Sequence, residues 1–171
     1  MTLIPSVLYL RQRFQPESRV RREKLAAHAR VGHPHNQYVR GTHLKSLIAA
    51  RIFATFTVVA ILFEIALAAG MPWGEFAWGG NYPGALPTDM RVASVVQALF
   101  LLALVLVVLI RAGLIFPAWQ PISNKLVWVV VAYCALGVIA NAITPSFWER
   151  TIWLPVLTIC FASSLVVAKA R

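Results

Sequence analysis

Glu64 stands inside an otherwise apolar run, "VVAILFEIALAAG", six residues before Gly70. A carboxyl in such a run is rare and costly in hydrocarbon, so it marks a candidate proton acceptor or cation ligand. At 1.5 Å per residue it lies about 9 Å below the end of its helix. Gln97 follows Arg91 by six residues on the next apolar run, and reaches a comparable depth if the two runs are antiparallel. Asn141 lies near the end of a third run. Arg91 and Arg150 open the second and fourth runs, beside Asp89 and Glu149. Glu64, Gln97, Arg91, Asn141, Glu149 and Arg150 are therefore expected to meet at one end of a helical bundle.

Two accounts of that cluster compete. In one, Glu64 is held by Arg91, Arg150 or Gln97, and the group only locks helix register. In the other, the same residues line a small pocket, with Glu64 as proton acceptor or cation ligand and an arginine as anion clamp. No catalytic residue is assigned, because the chain has no nucleophile elbow, Walker loop, HExxH, paired-carboxylate or haem-attachment motif. No cofactor or metal is expected either. His28, His33, His35 and His43 lack a cysteine or acidic partner at a recognised metal-binding spacing. Cys134 and Cys160 sit at similar depth on the third and fourth runs. With no CxxC, they read as small packing residues rather than a redox pair.

The elements that must position these groups follow from composition. Of 171 residues, 59% are hydrophobic and 13% charged, with a mean hydropathy of +0.70. A soluble domain is roughly 45–50% apolar and about 25% charged, so the balance here is that of a polytopic membrane protein. Four runs have the roughly 20 apolar residues that a bilayer crossing needs: 46–70, 92–110, 125–143 and 147–168. The second is rich in valine, but nineteen residues is too long for one buried strand. Open strands would leave backbone groups unpaired in lipid, so the expected fold is an all-α, four-transmembrane-helix bundle. "SLIAA" and "FASSL" offer small residues for close helix approach. Pro155 is expected to loosen the fourth helix near Thr151. The helices show no internal repeat of the inverted-transporter kind.

Between the first two runs lies "MPWGEFAWGGNYPGALP", residues 71–87, with two Trp, four Gly and three Pro. Trp73, Trp78, Tyr82 and, from the last turn, Trp148 suit the headgroup level of a membrane. Gly and Pro add sharp chain reversals that anchoring alone does not require. An aromatic cap over the polar cluster is therefore expected. With Arg51 counted on the side of the N-terminal arm, fourteen Lys/Arg fall on one side of the bundle and two on the other. The positive-inside rule then puts both termini in the cytoplasm and the cap outside.

The net charge of +10 is thus largely a topology signal. Residues 1–45 hold nine of the basic residues and form an arm, amphipathic in part or disordered. Leu3, Val7, Leu10 and Phe14, backed by Arg11 and Arg13, suit a short helix lying on anionic lipid headgroups. Nucleic acid is not expected as a partner, since no interleaved aromatics or binding-fold motif accompanies the charge. No signal peptide is expected, because the arm is too long and too basic.

"PWGEFAWGG", a following "LP", "RVASVV", then "NAIT", "WER" and Pro155 form an order that resembles a functionally uncharacterised family of small bacterial four-helix membrane proteins. The resemblance covers about residues 47–168. Its specific parts are Pro72-Trp73-Gly74 with Trp78-Gly79-Gly80, and Asn141, Trp148, Glu149, Arg150 and Pro155. The basic arm departs from that compact pattern. The resemblance implies a multi-pass protein of the bacterial inner membrane and supplies no activity. The expected role is a non-catalytic module that binds a small ligand or a partner, another membrane protein or a second copy. The alternatives are an oligomeric transporter or channel component using Glu64, and a membrane enzyme acting on lipid or quinone.

Overall fold

Four helices carry the apolar runs, and three of them begin upstream of the run that required them. The computed structural model describes residues 20–24 and 34–170, and the chain divides into two units, Met1–Gly41 and Thr42–Arg171. In the first unit, residues 20–24 are helical and exposed. The expected lipid-surface helix at Leu3, Val7, Leu10 and Phe14, and the His28 and His33 positions, lie outside the described residues.

The helices are α1 (Pro34–Ala68), α2 (Thr88–Arg111), α3 (Gln120–Ile143) and α4 (Phe147–Lys169). Among the described residues all four are long and apolar enough to cross a membrane. The protein is an all-α, multi-pass membrane bundle. Its first helix begins at Pro34, twelve residues ahead of the apolar run at Ser46. Proline suits that first turn, where its missing N–H would have no intrahelical acceptor.

Helix ends obey local chemistry. Both α1 and α2 close in Schellman motifs. Met71 N–H reaches the Ala66 carbonyl and Gly70 N–H the Leu67 carbonyl; Leu114 and Gly113 repeat the pattern on Leu109 and Ile110. α1 therefore stops at Ala68, and Gly70 (φ 95°) lies outside it. α4 opens on a Ser-x-x-Glu sequence, with the Ser146 hydroxyl accepting the Glu149 N–H at 3.2 Å. Arg111 and Lys169 in the last turns of α2 and α4 complement the helix dipoles.

Arg111 at the end of α2 also donates to the Ala170 carbonyl just beyond α4. α2 and α4 are thus parallel, and α3 returns between them. The ends of α1 and α3 and the starts of α2 and α4 gather at the end carrying the 71–87 loop, called here the capped end.

Lipid tails are as apolar as leucine, so helix association in a bilayer rests on close packing rather than on removal of surface from water. The buried core reflects this. Ala49, Ala50 and Phe53 of α1 pack with Leu104, Val105 and Val108 of α2, Val127, Val130 and Cys134 of α3, and Cys160 and Val167 of α4. Ser46, Ser94, Ser163 and Ser164 are buried as well, so both "SLIAA" and "FASSL" supply contact residues. Cys134 and Cys160 are free thiols within that core. The outward faces are large and apolar, for example Val58, Val59, Leu62 and Ile65 on α1 and Val92, Val95, Val96 and Leu99 on α2.

Candidate functional site

One stripe of each helix faces a common cavity of about 500 Å³. From α1 the stripe is Phe53, Thr57, Ala60 and Glu64; from α2 it is Gln97, Leu101 and Leu104; from α3, Cys134, Gly137 and Asn141; from α4, Glu149, Trp153, Val156 and Cys160. Within each helix these positions are three or four apart, the spacing that puts side chains on one face. Phe56, Phe63 and Tyr133 add aromatic wall, and Ala77 and Trp78 of the loop form part of the lining.

The loop covers this end as a folded structure. Two 3-10 turns, Gly74–Phe76 and Trp78–Gly80, pack on α4. Gly74 donates to the Gly84 carbonyl at 2.9 Å, and a Cβ at residue 74 would run into the Tyr82 carbonyl. Only glycine fits there. Trp78, Gly79 and Gly80 all carry positive φ (55°, 72° and 74°). For the tryptophan that backbone costs about 1–2 kcal/mol, because the left-handed region crowds Cβ against the following carbonyl. The reversal brings the Gly79 N–H to Glu149.

Three bonds fasten the cap to α4. Glu149 Oε2 accepts the Gly79 N–H at 2.9 Å and the Thr144 hydroxyl at 2.7 Å. Ser146 Oγ donates to the Glu75 carbonyl at 3.2 Å. Trp153 Nε1 donates to the Phe76 carbonyl at 2.8 Å. Aromatic contacts reinforce them: Phe63 stacks on Trp73 and meets Trp153 at 4.8 Å, while Phe76 meets the edge of Trp148 at 6.0 Å. Beneath the loop Leu67, Ala77 and Leu86 are buried, with Tyr82 and Met90 packed against them.

The polar lining is unevenly satisfied. Gln97 Nε2 donates to the Tyr133 hydroxyl at 2.6 Å, and Asn141 Nδ2 to its own helix at Gly137 O, 3.0 Å. Asn141 Oδ1 and Trp78 Nε1 are buried without a partner. Ser94 of α2 lies beside the Glu64 carboxyl, yet Glu64 Oε2 and Ser94 Oγ fall outside hydrogen-bonding geometry and both remain unpaired. Buried polar atoms usually find partners, and each exception calls for an explanation.

Of the six residues expected to cluster, Glu64, Gln97, Asn141 and Glu149 line the cavity. Arg91 and Arg150 do not. Arg91 donates through Nε to the Leu86 carbonyl at 2.8 Å and lays its guanidinium against Gly70, so its charge serves the loop. Arg150 is exposed, since one helical step from Glu149 rotates it about 100° away from the face that lines the cavity. No anion clamp is formed. Of the aromatic residues, Trp78 lines the cavity, Tyr82 packs under the loop, Trp73 stacks outside on Phe63, and Trp148 is half exposed beside Phe76 and Phe147.

Sequence reasoning passed over Tyr133, Trp153 and Thr57. Their signal is register: Trp153 lies four residues from Glu149 and Thr57 seven from Glu64, hence on the same faces. Among the described residues, no three His, Cys, Asp or Glu side chains converge as a metal site. No family model, no curated protein and no solved structure matches the chain.

Proposed function

We propose that this protein is a membrane-embedded, non-catalytic binding protein that holds one small amphipathic molecule in the cavity beneath its aromatic cap. The observation that carries the reading is the cavity itself. It is of ligand size, for small-molecule sites run from about 300 to 1,000 Å³. It is walled mainly by hydrocarbon and aromatic rings, with a few polar groups gathered at one end. Polar groups in such a wall fix orientation, while apolar burial supplies affinity. The cap is tied down by bonds at the rim, and its Ala77 and Trp78 line the polar end.

The basic residues near the other end, Arg111, Lys125 and Lys169, favour an orientation with that end in the cytoplasm and the cap outside. A bacterial inner membrane suits this arrangement, and the cap then meets its ligand from the extracytoplasmic side.

The test uses the full chain in neutral phosphatidylcholine nanodiscs, with 4-phenylbutanol as an uncharged amphipathic probe followed by isothermal titration. Wild type is expected to bind saturably, one probe per chain. Ala60→Phe, which fills the cavity from α1, is expected to lose that binding while retaining its helical circular dichroism. Identical, non-saturating partition into both samples would defeat the reading.

A further inference from the structure

The sign of charge around the cavity narrows what it accepts. Its lining contains two carboxyls, Glu64 and Glu149, and among the described residues no Lys, Arg or His. The two arginines at the capped end, Arg91 and Arg150, are turned to the loop and to the exterior. Glu149 already accepts two hydrogen bonds from the cap and the 144 turn. Glu64 has only the Ser94 hydroxyl beside it, and its Oε2 is buried without a hydrogen bond.

The amides tell the same story from a different side. Gln97 gives one amide N–H to Tyr133 and Asn141 gives one to Gly137, which leaves each a second N–H and a carbonyl oxygen. Of these, Asn141 Oδ1 is buried and unpartnered. Carboxyl and amide oxygens together ask for a donor. Trp78 Nε1 is a buried donor in the lining without a partner, but the rings of Trp78, Tyr133 and Trp153 also line the cavity, and aromatic rings attract positive charge.

From these observations, and resting on the binding role above, we propose that the ligand is a hydrophobic amine in its protonated form. Its ammonium group sits at Glu64 within reach of the amide carbonyls, and its apolar body lies along Phe53, Phe56 and Leu104. An ammonium on a carboxylate enters the bundle as a neutral pair, which removes much of the cost of burying either charge alone. An anionic ligand would bring like charge to Glu64 with no cation to offset it. A hydrated metal ion would leave the apolar wall unmatched.

The experiment compares three probes of one skeleton in the same neutral nanodiscs: 4-phenylbutylamine, 4-phenylbutanol and 4-phenylbutyrate. Wild type is expected to bind the amine at least ten-fold more tightly than the alcohol, and the acid not measurably. Glu64→Gln keeps the volume, removes the charge, and is expected to abolish the preference, so that amine and alcohol bind the variant with similar affinity. An amine bound no more tightly than the alcohol overturns the cation assignment and leaves the cavity as a binding site. Amine preference that survives E64Q overturns the role of Glu64. If none of the three binds saturably, the binding role falls with it. The wild-type ranking decides the matter even where E64Q does not assemble.

Discussion

At the scale of single residues, Glu149 is the fastening point. Its Oε2 holds a backbone N–H of the cap and a hydroxyl of the preceding turn, and hydrogen bonds to a charged group contribute about 1.5–3 kcal/mol each. Glu149→Ala is therefore expected to lower stability by about 2 kcal/mol or more, read from thermal unfolding in detergent. The adjacent Arg150→Ala, on an exposed side chain, is expected to stay within about 0.5 kcal/mol of wild type. Equal losses in the two variants would refute the assignment. Gly74→Ala presses a methyl group into the Tyr82 carbonyl and is expected to cost about 1–3 kcal/mol through overpacking. A variant as stable as wild type would show that the turn can yield. Glu64, Gln97, Asn141 and Glu149 were legible in the sequence because polar groups in apolar runs are conspicuous. Arg91 and Arg150 were misread. A guanidinium reaches several ångströms from its Cα, and depth along a helix says nothing about which way it turns. Tyr133 went unread because an aromatic residue in a membrane helix looks the same whether it faces lipid or a cavity, unless, as for Trp153, a polar neighbour in register marks the face.

At the scale of elements, the helices were legible from length alone, since a run of about twenty apolar residues has few other solutions. Their extensions were not: α1 starts at Pro34 and α2 at Thr88, in polar sequence that hydropathy does not score. The faces were partly legible, because alanine and serine mark where backbones approach. Ala50 is fully buried among four helices, and Val59 is about half exposed on the opposite side of α1. Ala50→Leu is accordingly expected to destabilise the bundle by about 1–3 kcal/mol. Val59→Leu, facing lipid, should leave it within about 0.5 kcal/mol. Denaturant titration of both in the same micelles checks the pair, and equal effects would mean the α1 face is misassigned. Thr151 and Thr158 flank Pro155 and bond back to the Phe147 and Leu154 carbonyls. Such bonding keeps hydroxyls satisfied inside lipid, while the carbonyl that Pro155 leaves without its N–H donor is that of Thr151.

At the scale of the whole molecule, the parallel pairing of α2 with α4 and the return of α3 place both described ends of the bundle on one membrane face. Single cysteines at Ala85, in the exposed loop, and Ala118, in the exposed α2–α3 connection, report that arrangement. In intact cells, a membrane-impermeant maleimide is expected to label Ala85→Cys and to spare Ala118→Cys until the membrane is permeabilised. The reverse pattern would invert the orientation. Native Cys134 and Cys160 are buried and should contribute little background.

The cap has a consequence for the connectivity of the chain. Its ties to α4 leave from residues 75, 76 and 79, all before Asn81, and the loop returns to α2 only at Thr88. A cut near residue 84 would therefore leave every tie to α4 on the first piece, and α2 to α4 intact on the second. Peptides 1–84 and 85–171, made separately in one cell, are expected to find each other and copurify. On that expectation the covalent thread between the first two helices is not what holds the first in the bundle; its ties to the fourth are, and two peptides that fail to copurify would refute this.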